Sequence, residues 1–130
     1  HGQDLMRGGF DGMYTYFASK GFTYGSSWHN WKKMAAYAKD KGLIFVPSVG
    51  PGYIDTAIRP WNAENRRERR DGHYLEEGWR DADRVQPEII SLTSFNEWHE
   101  GTQFEPIMTK QGFLDYGAKE GTFYLDLVRK

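Results

Sequence analysis

The sequence has 130 residues, with 17 Lys and Arg against 18 Asp and Glu, a formal net charge of -1 and no cysteine. The near-neutral balance gives no reason to expect binding to nucleic acid or to anionic lipid, and the lack of cysteine excludes disulfides, thiolate nucleophiles and zinc–thiolate sites. Aromatic residues make up 16% of the chain, which argues against disorder because such side chains bury large apolar areas.

The start of the chain has neither an initiator methionine nor the pattern of a signal peptide. The first residue is His1 rather than Met, and the apolar pattern of a signal peptide does not follow it. No apolar run approaches the roughly 20 residues that cross a membrane. We therefore expect a single-domain piece of a longer protein.

The first part of the chain predicts a strand followed by a helix. Residues 10–17 are rich in aromatic side chains, as strands often are. Ser26 and Ser27 are good N-caps for a helix over about residues 28–41, whose apolar side chains recur on one face. Gly42 stands where a C-cap glycine is expected.

The middle of the chain repeats this alternation. Residues 43–49 form a nearly continuous apolar run, typical of a strand covered on both faces. Residues 50–65, with several Gly and Pro, indicate a long loop. A second helix is predicted over about residues 71–85, ended by Pro87, and residues 88–95 predict a third strand.

The last part of the chain predicts a polar turn over residues 96–102, a loop up to Gly121 and a short helix over residues 123–130. Helices between buried strands imply parallel pairing and the α/β class. Three strands alone leave open edges, so the chain either associates with something or belongs to a larger sheet or barrel. We favour the barrel, incomplete in this chain.

The loops after the strands are where active sites form in parallel sheets and barrels. They lie at residues 18–25, 50–65 and 96–102, and aromatic side chains in or beside them could stack on the C–H faces of sugar rings. The alternative is that each ring belongs to core or rim packing. The candidate rings are Tyr14, Tyr16, Phe22, Tyr24, Tyr53 and Trp61.

The strongest local signal is the pair Glu97 and Glu100 in the polar turn. Glycoside hydrolysis needs two such groups, one to protonate the leaving oxygen and one to act as nucleophile or base. The alternative is a solvated helix face, where glutamates three residues apart are common. A metal site on Glu97, His99 and Glu100 is disfavoured, because neighbouring side chains diverge and no H-E-x-x-H spacing occurs.

Two groups of arginines need separate interpretations. Residues 66–70 form the one basic run, and with a net charge near zero we interpret it as a solvated segment rather than a phosphate site. Arg59, flanked by Ile58 and Pro60, is expected to be held in place. It could fork to a carboxylate or to sugar hydroxyls.

Four stretches in this order resemble a known family, the glycoprotein endo-α-1,2-mannosidases of glycoside hydrolase family 99. The stretches are residues 9–17 (GFDGMYTYF), 21–27 (GFTYGSS), 47–56 with 58–62 (PSVGPGYIDT and IRPWN) and 93–103 (TSFNEWHEGTQ). The resemblance covers essentially the whole chain. It implies a (β/α)8 barrel, in which residues 1–130 would be a partial catalytic domain, the last three or so βα units.

The resemblance also implies an activity and a place in the cell. The family is a retaining, endo-acting hydrolase that cleaves α-1,2-mannosidic linkages of glucosylated high-mannose N-glycans, with neither metal nor organic cofactor, through a 1,2-anhydro sugar. It implies a Golgi membrane protein with a lumenal catalytic domain, whose anchor is absent from this chain. The alternative is a non-catalytic fragment, or a remnant that binds glycan weakly.

Residue roles follow from the same resemblance. Glu97 matches the base that removes the mannose 2-hydroxyl proton, and Glu100 matches the acid/base at the leaving oxygen. Tyr14 or Tyr16 matches a tyrosine near the scissile sugar. The further residues expected to contact substrate are Tyr53, Arg59, Trp61, Asn62, Asn96 and His99.

Overall fold

The computed structural model describes residues 2–129, which contain four α-helices and four short β-strands. In chain order these are α1 (Gly2–Arg7), β1 (Gly12–Tyr14), α2 (Trp31–Lys41), β2 (Ile44–Val46), β3 (Ser48–Val49), α3 (His73–Asp83), β4 (Ser91–Leu92) and α4 (Phe123–Val128). None of these helices is long and apolar enough to cross a lipid bilayer. The predicted terminal helix is present as α4, whereas its last residue, Lys130, and the expected chain start at His1 lie outside the described residues.

The strands pair in parallel, β1 with β2 and β3 with β4. Pro47, which has no N–H to donate, separates β2 from β3, and its carbonyl accepts the N–H of Ser91 at 3.0 Å. Each half of this interrupted strand pairs with a different neighbour, so the ladders are shorter than the apolar runs suggest. Helices α2 and α3 connect successive strands, and the predicted alternating α/β order is confirmed.

One face of the strands carries the core. Trp31 from α2 and Leu75 from α3 pack with Phe45 and Val49, and all four are buried. The other face is open at Ile44, which is 38% exposed. The expectation that residues 43–49 are covered on both faces is therefore wrong at Ile44, in β2, whereas both residues of β3, Ser48 and Val49, are buried as expected. Alternate side chains of a strand point to opposite faces, and both crossover helices pack on the face that carries the core.

The caps predicted for the two ends of α2 have different outcomes. At the C-terminal end, Gly42 adopts φ 66° and its N–H donates to carbonyls of the last turn, as predicted. At the N-terminal end, Ser27 stands at the N-cap position of a 3₁₀ turn that begins at Trp28, but the predicted side-chain capping bond is absent. The hydroxyl of Ser27 donates to the carbonyl of Thr23, and Ser26 is bonded to the same residue. The α-helix begins only at Trp31, after a 3₁₀ turn.

Helix α3 is shorter than the predicted 71–85. Asp71 and Gly72 have φ values of 55° and 94°, in the left-handed region, so the α-helix starts at His73. The predicted buried face is confirmed at Leu75 and Ala82.

Tyr74, at the start of α3, makes the stability of the fold depend on pH in the alkaline range. Its hydroxyl donates to the Ala18 carbonyl at 2.6 Å and accepts the N–H of Lys20 at 2.8 Å. Burial raises the pKa of Tyr74 from 10.0 to about 12. The unfolded chain therefore releases this proton first, and the folded state loses up to about 1.4 kcal/mol per pH unit between the two values.

We expect Tyr74→Phe to flatten the fall in unfolding free energy between about pH 10 and 12, as measured by urea unfolding. At neutral pH the same variant is less stable by about 1–3 kcal/mol, because the buried carbonyl of Ala18 and the N–H of Lys20 lose their partner. A pH slope equal to that of the wild type would contradict the assignment.

Candidate active site

Both glutamates lie in residues 96–102, the polar segment that follows β4, which we name the acidic turn. Residues Trp98–Glu100 form a 3₁₀ turn, preceded by Glu97 and ended by Gly101 with φ 63°. Glu97, with φ -83° and ψ 81°, lies just before the helical residues, and Glu100 is the last of them. Glu97 is exposed and Glu100 is more enclosed, with 22% of its side chain accessible.

Hydrogen bonds tie the backbone of the acidic turn at its base. Ser94 Oγ accepts the N–H of Glu97 at 3.0 Å and lies 2.8 Å from Thr102 Oγ1. The N–H of Thr102 donates to the Glu97 carbonyl at 3.2 Å, and the N–H of Ile54 donates to the Glu100 carbonyl at 2.8 Å. The turn is thus fixed both to the end of β4 and to the loop after β3.

Gly101 allows this close approach. A Cβ at this position would lie 3.1 Å from the nitrogen and 3.2 Å from the oxygen of Ile54, and the left-handed φ disfavours any L side chain. The glycine thus permits both the end of the turn and its contact with the neighbouring loop.

The loop after β3 brings a third carboxylate, which is buried, to the site. Asp55 is 1% exposed, and its Oδ2 accepts the hydroxyl of Tyr53 at 3.0 Å, Nδ2 of Asn62 at 2.8 Å and Nη1 of Arg59 at 3.1 Å. Burial alone would raise the pKa of Asp55, but these hydrogen bonds outweigh burial and hold the pKa below its ordinary value. Asp55 is therefore a buried anion with three donors on one oxygen.

Arg59 joins Asp55 to the acidic turn. The same Nη1 that bonds Asp55 also donates to Glu100 Oε1 at 3.0 Å. The pKa of Tyr53 is raised to about 12, first by burial, then by its hydrogen bond to Asp55 and by the charge of Glu100. Arg59 is thus held between two carboxylates, and its predicted contact with substrate stays a prediction.

The basic run at residues 66–70 is only partly solvated. Arg66 and Arg70 form surface ion pairs, as expected, but for Arg69 the expectation is wrong. Its Nη2 donates to the carbonyls of Gly101 at 3.0 Å and Gln103 at 2.9 Å. Arg69 therefore lies against the end of the acidic turn.

Two rings from the C-terminal part of the chain enclose Arg69. The guanidinium carbon lies 5.1 Å from the ring centre of Tyr116 and 4.4 Å from that of Tyr124, distances at which an aromatic face attracts a cation. Trp98, between the two glutamates, stacks on Tyr116 with planes 5° apart and donates its indole N–H to Glu105 at 2.7 Å. The segment before α4 and α4 itself thus support the acidic turn.

The strand end that carries Tyr14 and Tyr16 is also exposed. The rings are 55% and 48% exposed and meet edge to face at 5.9 Å. Tyr16 has φ 59°, inside a three-residue turn closed by the N–H of Phe17 and the carbonyl of Thr15. Such turns are strained, and strain of this kind clusters at functional sites.

The other predicted contact residues differ in exposure. Trp61 is 79% exposed, whereas Tyr53 is 8% exposed and faces Asp55. The side-chain amide of Asn62 is engaged by Asp55 and by Asn65. Of the remaining candidate rings, Phe22 continues the edge-to-face cluster through Phe17, and Tyr24 lines a different, apolar cavity beside α1 and α2.

Asn96 and His99 are both exposed on the acidic turn. Across residues 2–129, no three histidine, aspartate or glutamate side chains come together as metal ligands. The predicted substrate contacts of Asn96 and His99 stay predictions, like those of Trp61, Tyr14 and Tyr16.

Sequence reasoning missed three residues that shape the site, namely Asp55, Arg69 and Ser94. The four-residue spacing of Asp55 and Arg59 is the one local signal that could have revealed a pair. Arg69 sits among other arginines and looks like part of a solvated run. Its partners are 32 and 34 residues further along the chain.

Comparison with known proteins decides the family. The model of glycosyl hydrolase family 99 matches residues 1–130. This chain belongs to glycosyl hydrolase family 99. The resemblance drawn from the four sequence stretches is thereby confirmed.

The relatives within family 99 include animal and bacterial proteins. The chain is 52% identical to a glycoprotein endo-alpha-1,2-mannosidase of Rattus norvegicus and 53% identical to a glycoprotein endo-alpha-1,2-mannosidase-like protein of Danio rerio. All of this chain is aligned, against 29% and 30% of those proteins, so it spans under a third of their length.

A solved family 99 endo-alpha-mannosidase of Bacteroides thetaiotaomicron, in complex with bis-tris-propane, superposes with a TM-score of 0.87 at 48% identity. The match covers 94% of this chain and 39% of that one.

Proposed function

We propose that this chain carries the two catalytic glutamates of a retaining, endo-acting glycoside hydrolase that cleaves α-1,2-mannosidic linkages of glucosylated N-glycans. The observation that carries the proposal is the pair Glu97 and Glu100, at the start and the end of a short turn that is tied to the C-terminal end of β4. Active sites of parallel α/β folds form at these ends. Family membership and the names of the relatives support the same reaction.

We propose further that residues 1–130 are the C-terminal part of a (β/α)8 barrel, its last three or so βα units. The parallel β–α–β–α–β order supports this, as does the uncovered face at Ile44, where a barrel would place its interior. The small share of the relatives' length that the chain spans is consistent with it.

In the proposed first step, Glu97 takes the proton of the mannose 2-hydroxyl, and that oxygen attacks the anomeric carbon. The bond from this carbon to the glycosidic oxygen breaks, and the departing oxygen receives the proton of Glu100. The sugar is left as a 1,2-anhydro ring. Glu97 is now protonated and Glu100 is a carboxylate.

In the second step, Glu100 takes a proton from water, whose oxygen attacks the anomeric carbon. The bond from that carbon to O2 breaks, and O2 recovers the proton held by Glu97. Each step inverts the anomeric carbon, so the two together retain its configuration, and both carboxyl groups return to their starting states.

The exposed aromatic rings support a sugar-binding surface beside these carboxylates. Thr93 Oγ1 donates to the Tyr16 carbonyl at 2.7 Å, which joins the end of β1 to the end of β4 just before the acidic turn. We propose that Tyr14, Tyr16 and Trp61 stack on sugar rings, while Asn96 and His99 bond hydroxyls. Arg59 acts on Glu100 through their hydrogen bond, and Tyr53 and Asn62 act through Asp55.

The test is to incubate the full-length polypeptide with a glucosylated high-mannose N-glycan and to identify the products by mass spectrometry and NMR. We expect release of a glucosylated mannose whose new reducing end is first formed as the α-anomer. Release of single sugars, or initial formation of the β-anomer, would contradict the endo-acting or the retaining assignment.

The same assay on residues 1–130 alone tests the second candidate, a non-catalytic or weakly glycan-binding piece. The open face at Ile44 favours this outcome for the isolated residues. Cooperative unfolding without glycan cleavage would support it, provided that the full-length polypeptide is active.

The cellular location is proposed on the resemblance alone, as a Golgi membrane protein with its catalytic domain in the lumen. We expect a tagged full-length polypeptide to co-localise with Golgi markers, and its catalytic part to resist protease until the membrane is permeabilised. Digestion in intact vesicles would contradict a lumenal domain.

A further inference from the structure

The two carboxylate oxygens of Glu100 are not equivalent. Oε1 accepts an N–H of Arg59 at 3.0 Å, and a guanidinium has no lone pair to receive a proton. An acid proton on Glu100 therefore has to sit on Oε2. The bond to Arg59 thus defines which oxygen can face the glycosidic bond.

Arg59 alone would be a poor neighbour for an acid, because a nearby cation favours the ionised form of a carboxyl group. The same Nη1 also donates to Asp55 Oδ2 at 3.1 Å. Asp55 is fully buried, and its negative charge is stabilised by hydrogen bonds from Tyr53 and Asn62. Its negative charge offsets that of Arg59, so Glu100 gains a fixed partner with little net positive charge beside it.

We propose that Asp55 is a positioning residue for Glu100 and acts through Arg59. The Asp55–Arg59 pair fixes Oε1 of Glu100 and leaves Oε2 to deliver and later collect the proton. Because Asp55 offsets the charge of Arg59, the ionised form of Glu100 is not favoured as it would be beside an isolated cation. This inference rests on the proposed function, in which Glu100 is the acid/base.

In the described part of the chain, three segments pack against Glu100 or its neighbour Gly101, namely the loop after β3, the acidic turn itself and the basic run at residues 66–70. The loop after β3 supplies Arg59, Asp55 and Tyr53, and the charge of Glu100 contributes to the raised pKa of Tyr53. The acidic turn itself supplies Glu97 and His99, and Arg69 bonds the carbonyl of the next residue. Removing the charge of Asp55 therefore leaves Arg59 as the uncompensated cation in direct contact with the acid.

The experiment compares Asp55→Asn with wild type in the full-length polypeptide on two substrates, the glycan and a glycosyl fluoride of the same sugar. Fluoride leaves without protonation, so its kcat/KM does not depend on the acid. We expect Asp55→Asn to lower kcat/KM for the glycan by about 10-fold or more, a part of what general acid catalysis supplies, and to leave that for the fluoride nearly unchanged.

A pH profile gives a second readout. In Asp55→Asn the uncompensated Arg59 favours ionised Glu100, so the alkaline limb of kcat/KM for the glycan moves to lower pH. The matched control is Asp81→Asn on α3, which breaks an ion pair with Arg84 away from the site. It should change neither kcat/KM nor the position of the alkaline limb.

Equal losses on both substrates, or no loss on either, would overturn the inference. Should Asp55→Asn not fold, Arg59→Met is the second variant, since Arg59 is 42% exposed. It frees Oε1 of Glu100, and the same selective loss on the glycan is expected in kcat, whereas a change confined to KM would overturn the positioning role. An inactive wild type, or a fully active Glu100→Gln variant, would instead remove the proposed function.

Discussion

Glu100→Gln is expected to lower kcat/KM for the glycan by about 10²–10⁴-fold, the range that general acid catalysis contributes. Glutamine has the shape of glutamate, and its Oε1 still accepts the N–H of Arg59 seen in the structure. What is lost is the proton on the second oxygen. A sugar alkoxide is a poor leaving group, so the breaking of its bond depends strongly on that proton.

The same variant should recover most of its kcat/KM on a glycosyl fluoride, because fluoride departs without an acid. The matched control is Glu76→Gln, an exposed glutamate on α3 that pairs with His73, and we expect it to behave as wild type. Near-normal turnover of the glycan by Glu100→Gln, measured in the full-length polypeptide, would exclude Glu100 as the acid.

Glu97→Gln should be impaired by about 10²–10⁴-fold on both substrates, which separates its role from that of Glu100. The base acts on the 2-hydroxyl before or during attack, and a better leaving group does not supply that base. Glu97 is exposed and its backbone is fixed through Ser94 and Thr102, so the isosteric change is expected to leave the fold intact.

A modified substrate tests the same step without mutation. A 2-deoxy version of the mannose unit has no hydroxyl to attack the anomeric carbon, and we expect wild type to leave it intact. Its cleavage at a rate like that of the natural glycan, or a glycosyl fluoride turned over normally by Glu97→Gln, would contradict participation by the 2-hydroxyl.

What could be predicted from the sequence is what neighbouring residues encode. The apolar repeat of α3 and the glycine at the end of α2 are local signals, and both are confirmed. Glu97 and Glu100 are also a local signal, because they are close in sequence. The cap at Ser26 and Ser27 failed for a local reason too, because Thr23 competes for their hydroxyls.

The rest depends on contacts between distant parts of the chain. Glu100 and Arg59 are separated by 41 residues, and nothing near Arg59 announces which carboxylate it will meet. Pro47 interrupts an apolar run that reads as one strand. Whether the second face of that strand is covered depends on elements outside the run, so the pattern of the run alone could not decide it.

The arrangement around Arg69 has a consequence for synthesis. The arginine and the carbonyls that it binds precede Tyr116 and Tyr124, the rings that enclose its charge. A growing chain therefore exposes both glutamates before the side chains that brace them have left the ribosome. A product cut short ahead of Tyr116 would keep every residue of the proposed chemistry and still lack the aromatic brace beneath it.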